Sequence, residues 1–122
     1  MANEISVLAS LQCVNGTFRV GKNPGIVRAD QATTGGGQPG TFSVTTTDTA
    51  ITISNLTTPR WAYLQNIGTN AVDVGPTSGG AIVKVMTLKA GEVALLPLSA
   101  SVALRCQTTT GTSQLEITAL EA

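Results

Sequence analysis

Residues 60–98, RWAYLQNIGTNAVDVGPTSGGAIVKVMTLKAGEVALLPL, alternate β-favouring runs with turn signals, and that alternation decides the fold. Trp61 to Ile67 reads as a strand ended by Gly68-Thr69-Asn70, and Ala71 to Val74 as a second ended by Gly75-Pro76 and Ser78-Gly79-Gly80. Ala81 to Leu88 forms a third, turned by Lys89-Ala90-Gly91. Glu92 to Leu98 is nearly all apolar, the pattern of a strand held between two packed sheets. Pro97 places the end of that strand at an edge, because proline has no N–H for a ladder.

Towards the N-terminus, EISVLASLQCV at 4–14 puts Ile5, Val7, Ala9, Leu11 and Cys13 at every second position, the period of one long half-buried strand. Asn15-Gly16 is a turn dipeptide, so Thr17 to Val20, with Phe18, is expected to return as a hairpin partner. Residues 21–40, GKNPGIVRADQATTGGGQPG, lose the alternation and collect Gly and Pro. They read as a long loop or arm, and loops of more than about 12 to 15 residues are usually functional or disordered. TFSVTTT at 41–47 and AITIS at 50–54 are strands around a turn at Thr47-Asp48-Thr49. Ser101 to Gln107 and Ser113 to Leu120 close the chain. About nine or ten short strands without a helical period predict an all-β fold, an antiparallel β-sandwich or jelly roll, with a complete barrel as the alternative. A single domain, 1–122, is expected, with 21–40 as its arm.

Charged residues are 11% of the 122, against about 25% in ordinary globular chains. Thr, Ser, Gly, Asn and Gln must cover the surface, or other subunits must bury part of it. A formal net charge of zero argues against nucleic acid, which clustered Lys and Arg would bind. No segment approaches the roughly 20 apolar residues of a membrane span, and no export signal is legible. Cys13 and Cys106 lie far apart in sequence, form no C-x-x-C metal or redox pair and sit at alternating apolar positions, so both are expected as inward thiols, with a disulfide as the alternative.

Histidine is absent, which removes the commonest general base and metal ligand. The seven carboxylates are scattered without a calcium-loop pattern, and the glycine runs lack a phosphate-loop ending. A non-enzymatic protein with no cofactor, metal or catalytic residue is therefore expected. Trp61 and Tyr63, two apart, share a strand face and are either core or subunit packing or a sugar-stacking platform. Arg60 beside them is a rim charge or the partner of a neighbouring chain's carboxylate. Within the arm, Ile26 and Val27 supply an apolar anchor and Arg28 a charge for an interface.

The run Trp61 to Asn70, then Val74-Gly75, then Leu88 to Leu98 resembles small virion structural proteins of tailed bacteriophages. Its marks are an aromatic strand before an N-x-G-T-N turn and an L-K-A-G-E turn before an apolar strand. Ile5-Ser6-Val7 and Leu115-Glu116-Ile117 add to it, and the likeness covers about two-thirds of the chain. The resemblance implies a structural protein of the phage particle, and best a capsid decoration (cement) protein bridging capsomers. It implies a homo-oligomer, a trimer above all, bound to the major capsid protein on the virion surface after synthesis in the host cytoplasm. A head-tail or tail component is the alternative, as is a carbohydrate- or receptor-binding sandwich module.

Overall fold

The computed structural model describes residues 4–30, 40–51, 59–99 and 104–121. The described residues form fourteen strands and no helix. In chain order these are β1 Ile5–Leu8, β2 Leu11–Asn15, β3 Phe18–Lys22, β4 Ile26–Ala29, β5 Gly40–Val44, β6 Thr49–Ala50 and β7 Pro59–Asn66. They continue as β8 Val72–Gly75, β9 Thr77–Ser78, β10 Ala81–Ile82, β11 Met86–Leu88, β12 Val93–Pro97, β13 Arg105–Thr108 and β14 Ser113–Glu121.

Eight of them make the body, two four-stranded antiparallel sheets of order β12-β7-β14-β5 and β11-β8-β13-β6. Strand alternation assigns the faces. On β7, Ala62, Leu64 and Asn66 are buried while Trp61, Tyr63 and Gln65 stand on the outer face. On β14, Leu115, Ile117 and Ala119 turn inward and Gln114, Glu116, Thr118 and Leu120 outward. Val44, Leu64, Val72, Val74, Leu88 and Leu115 pack the sandwich core between the sheets. The fold is thus the expected all-β antiparallel sandwich.

The strand count exceeds the expected nine or ten because several long runs break. Ala81 to Leu88 is two strands: the Gly79-Gly80 hairpin folds β9 against β10, and Val83 and Val85 donate instead to the carbonyls of Pro76 (2.7 Å) and Val74 (3.0 Å). Glu92 to Leu98 is not sandwiched between sheets. It yields β12, an edge strand with Val93 and Leu95 exposed and Ala94 and Leu96 turned in. Its edge position agrees with Pro97. The expected strand at 50–54 is described only to Ile51, and 101–103 of the next also lie outside the described residues.

The N-terminal region departs furthest from expectation. The run 4–14 is not one half-buried strand, and residues 21–30 are not an irregular loop. β1 pairs with β4 from Ile5↔Ala29 to Leu8↔Ile26, and β2 pairs with β3 from Leu11↔Lys22 to Asn15↔Phe18. Both pairs belong to one interrupted ribbon, with Ala9-Ser10 facing Asn23-Pro24-Gly25 at the break. There the Gly25 N–H donates to Asn23 Oδ1 at 3.0 Å, a local turn that satisfies backbone left out of the ladder. Residues 31–39 of the expected arm lie outside the described residues.

Candidate interaction surface

The motifs that carry the phage resemblance meet in space around one buried side chain. Asn66 is wholly inaccessible and its amide is used at both ends. Nδ2 donates to the Asn70 and Leu88 carbonyls, each at 2.8 Å, while Oδ1 accepts from the Gly68 N–H at 3.0 Å and the Ser113 hydroxyl at 2.7 Å. The backbone closes the same knot: Asn66 N–H donates to Glu92 O at 3.0 Å and Gly91 N–H to Asn66 O at 2.8 Å.

Gly68 admits no side chain, since a Cβ there would meet the Ser113 hydroxyl and lie 2.6 Å from the Gln114 nitrogen. In the Leu88-Lys89-Ala90-Gly91-Glu92 turn, Gly91 has φ +82°, and the Glu92 carboxylate accepts from the Lys89 N–H at 2.8 Å. Both motifs therefore specify the fold. Every hydrogen-bonding position of the Asn66 amide is occupied within the chain, so the knot offers nothing to a ligand.

The outer face of the β12-β7-β14-β5 sheet holds the expected aromatic pair. Register sets Tyr63 between Leu95 and Thr118, and Trp61 between Pro97 and Leu120. Both rings are half-buried, in neither the core nor open solvent. Strand β1 crosses them, so that Ile5, only 4% exposed, and Val7 share a small cavity of about 180 Å³ with Trp61, Tyr63, Leu95 and Leu120. The Tyr63 hydroxyl donates to Gln65 Oε1 at 3.2 Å. Arg60 is held within its own chain: Nη1 donates to Leu98 O at 2.9 Å, and the guanidinium lies 5.4 Å from the Trp61 ring centre. β1 and Arg60 thus take up part of the Trp61 and Tyr63 surface.

Beyond β1 the ribbon leaves the body. Between Leu8 and Arg28 every residue is exposed except the half-buried Val20. Large apolar side chains project along it, with Leu11 67% and Phe18 61% exposed beside Leu8 and Val14. Ile26 and Val27 are exposed on β4, and Arg28 donates from Nη1 to Ser6 Oγ at 3.3 Å across the ribbon. The six residues expected at an interface thus fall into two groups joined by β1, with Arg60, Trp61 and Tyr63 under it and Ile26, Val27 and Arg28 paired beside it.

Leu8, Leu11, Val14 and Phe18 were not among those candidates. Their signal was present, because Leu8 and Val14 make the run apolar on both faces, which a half-covered strand does not need. Charge separates in the same way. Ile5 to Ala29 contains three of the seven basic residues, Arg19, Lys22 and Arg28, and none of the seven acidic ones. Glu4 and Asp30 adjoin its two ends, and the remaining residues carry five acidic and four basic side chains.

Cys13 lies on this ribbon and is exposed, contrary to the expected inward thiol; the body does not reach far enough to cover it. Cys106 is buried as expected, its Sγ 3.7 Å from the Thr49 carbonyl. Its thiol is raised from the ordinary 9.0 to about 11, first by burial and then by the Asp48 carboxylate, against the opposing pull of Arg105. Among the described residues no three His, Cys, Asp or Glu side chains gather as a metal site, and no helix is long and apolar enough to cross a membrane. No family model matches the chain, and neither a curated protein nor a solved structure does.

Proposed function

We propose that the chain is a non-enzymatic structural protein of a bacteriophage particle, a capsid decoration protein that bridges capsomers through contacts to the major capsid protein and to other copies of itself. The observation that carries this reading is the ribbon Ile5 to Ala29, an apolar, basic projection on a charge-poor sandwich. A side chain such as Phe18 left in water forfeits about 1.5 to 3 kcal/mol that burial would return, and contiguous exposed apolar surface marks an interaction site.

Strand winding supports the same class. From β5 to β14 the body strands pass from one sheet to the other at each connection, apart from the β8 to β11 return within one sheet. We read this as a jelly roll, an architecture used by viral capsid and lectin domains. Fold alone does not choose between those uses. The aromatic pair speaks against the lectin alternative, because Trp61 and Tyr63 are crossed by β1 and Arg60 occupies the Trp61 face.

The test uses particles from a phage genome lacking this chain. Purified protein added back should co-sediment with the shells at a fixed copy number and raise the temperature at which they open. Shells that take up none of it, or a glycan array that captures the protein while shells do not, would overturn the reading.

A further inference from the structure

We infer that the ribbon of one copy docks in the groove beside β12 of a second copy. This deepens the homo-oligomer part of the reading above and rests on it. The groove has a volume of about 620 Å³, with Tyr63, Val93 and Leu95 below and the chain's own Val7, Leu8 and Ala9 as one wall. Its floor is apolar and partly exposed.

Exposed large apolar side chains stand on the ribbon (Leu8, Leu11, Val14, Phe18, Ile26 and Val27) and at the groove (Val93 and Leu95), with Val83 and Val85 just before β11 and Ile67 just after β7.

Backbone chemistry points to the same edge. Asn66 N–H bonds Glu92 O, and Leu98 N–H bonds Arg60 O. In an antiparallel ladder bonded and non-bonded pairs alternate, so Ala94 and Leu96 bond β7 while Val93 and Leu95 turn N–H and C=O away from it. Pro97, in the same outward phase, lacks only a donor that β7 would not use. An uncharged apolar edge of this kind is a template for a further strand, and an added strand would extend the sheet.

Charge selects the occupant. Arg19 and Lys22 near the ribbon tip would meet Glu92, which precedes β12, and Glu116, which shares a face with Val93 through their common neighbour Gln65. The two basic side chains near the ribbon tip and the two carboxylates beside β12 thus fit a second copy of the chain. The ribbon leaves the body at the groove where a neighbour's tip arrives. Each copy then gives an arm and receives one, a head-to-tail relation that makes a ring where the rotation between copies closes.

Cys13 provides the probe, since it is exposed on the ribbon while Cys106 is buried. In the Leu95→Cys variant, a short thiol-to-thiol maleimide cross-linker should join Cys13 of one copy to position 95 of another, as read by peptide mapping of the covalently joined species of more than one chain mass. Arg19→Glu with Lys22→Glu, both at exposed positions, should weaken association at least tenfold without changing the melting temperature, and adding Glu116→Lys should recover part of it. A wild-type monomer at micromolar concentration would overturn both the oligomer reading and this docking. An oligomer with no cross-link from Cys13 to position 95 and no response to the charge reversals would overturn the docking alone.

Discussion

Asn66 shows what one side chain can decide. Replacing it by Ala would leave the buried Leu88 carbonyl and the Ser113 hydroxyl without a partner and release the Gly68 turn. Unsatisfied buried groups cost about 1 to 3 kcal/mol each, so Asn66→Ala should lower unfolding stability by about 2 to 4 kcal/mol, read as a fall in the urea midpoint. Asn66→Asp should be at least as damaging, because a carboxylate oxygen would face two carbonyls that now accept from Nδ2. Cys106 sets a pH dependence of definite sign. Its thiol gives up its proton near 9.0 in the unfolded chain and near 11 in the folded one, so the folded state holds the proton more tightly. The stability this group contributes is intact below pH 9 and is lost as pH rises towards 11. Denaturation midpoints of the wild type and Cys106→Val should therefore diverge less steeply below pH 9 than above it, with the valine variant losing less stability on the alkaline side. The Asn66, Gly68 and Asn70 spacing was legible in the sequence as a turn. Its role as the tie between β7, β11 and β14 was not, because that role depends on Leu88 and Ser113, which only the fold brings near.

Alternation predicted the β7 and β14 faces well, since each has one apolar side and sheet neighbours that cover it. The same alternation in Ile5, Val7, Ala9, Leu11 and Cys13 misled, because period two reports which residues share a face and not whether anything lies against it. Only Ile5 and Val7 find the body. The Gly- and Pro-rich composition after Gly21 likewise hid β4, whose residues pair with a strand some twenty positions away. Length and apolar content made β12 look central, whereas its neighbours place it at an edge. If the ribbon is held only by its own pairing in the free chain, its amides should exchange with solvent far faster than those of β7 and β14. Hydrogen exchange should show rapid labelling of residues 11–22 at dilutions that favour monomer and protection at concentrations that favour assembly. Slow exchange there at every concentration would mean that the ribbon is held by its own body.

For the whole molecule, the sparse charge acquires a consequence once its distribution is known. Zero net charge does little to keep copies apart, and in the proposed docking Arg19 and Lys22 of one copy meet Glu92 and Glu116 of another. Part of this attraction should be screened, so association should weaken as salt rises from low to physiological ionic strength, as measured by light scattering across a salt series. The fold class, the missing histidine and the charge-poor surface were all readable from composition and periodicity. The division between a closed body and an exposed apolar ribbon was not, because it depends on which strands the sandwich covers. Sedimentation equilibrium of the intact protein and of a Leu11→Ser, Phe18→Ser double variant tests that division most directly. The wild type should run at a discrete multiple of the chain mass, three for a trimer. The variant should keep its melting temperature while its association weakens by about a hundredfold or more, each lost side chain removing about 1.5 kcal/mol or more of burial. A monomeric wild type, or a variant that assembles as tightly as the wild type, would contradict the claim that the ribbon holds copies together.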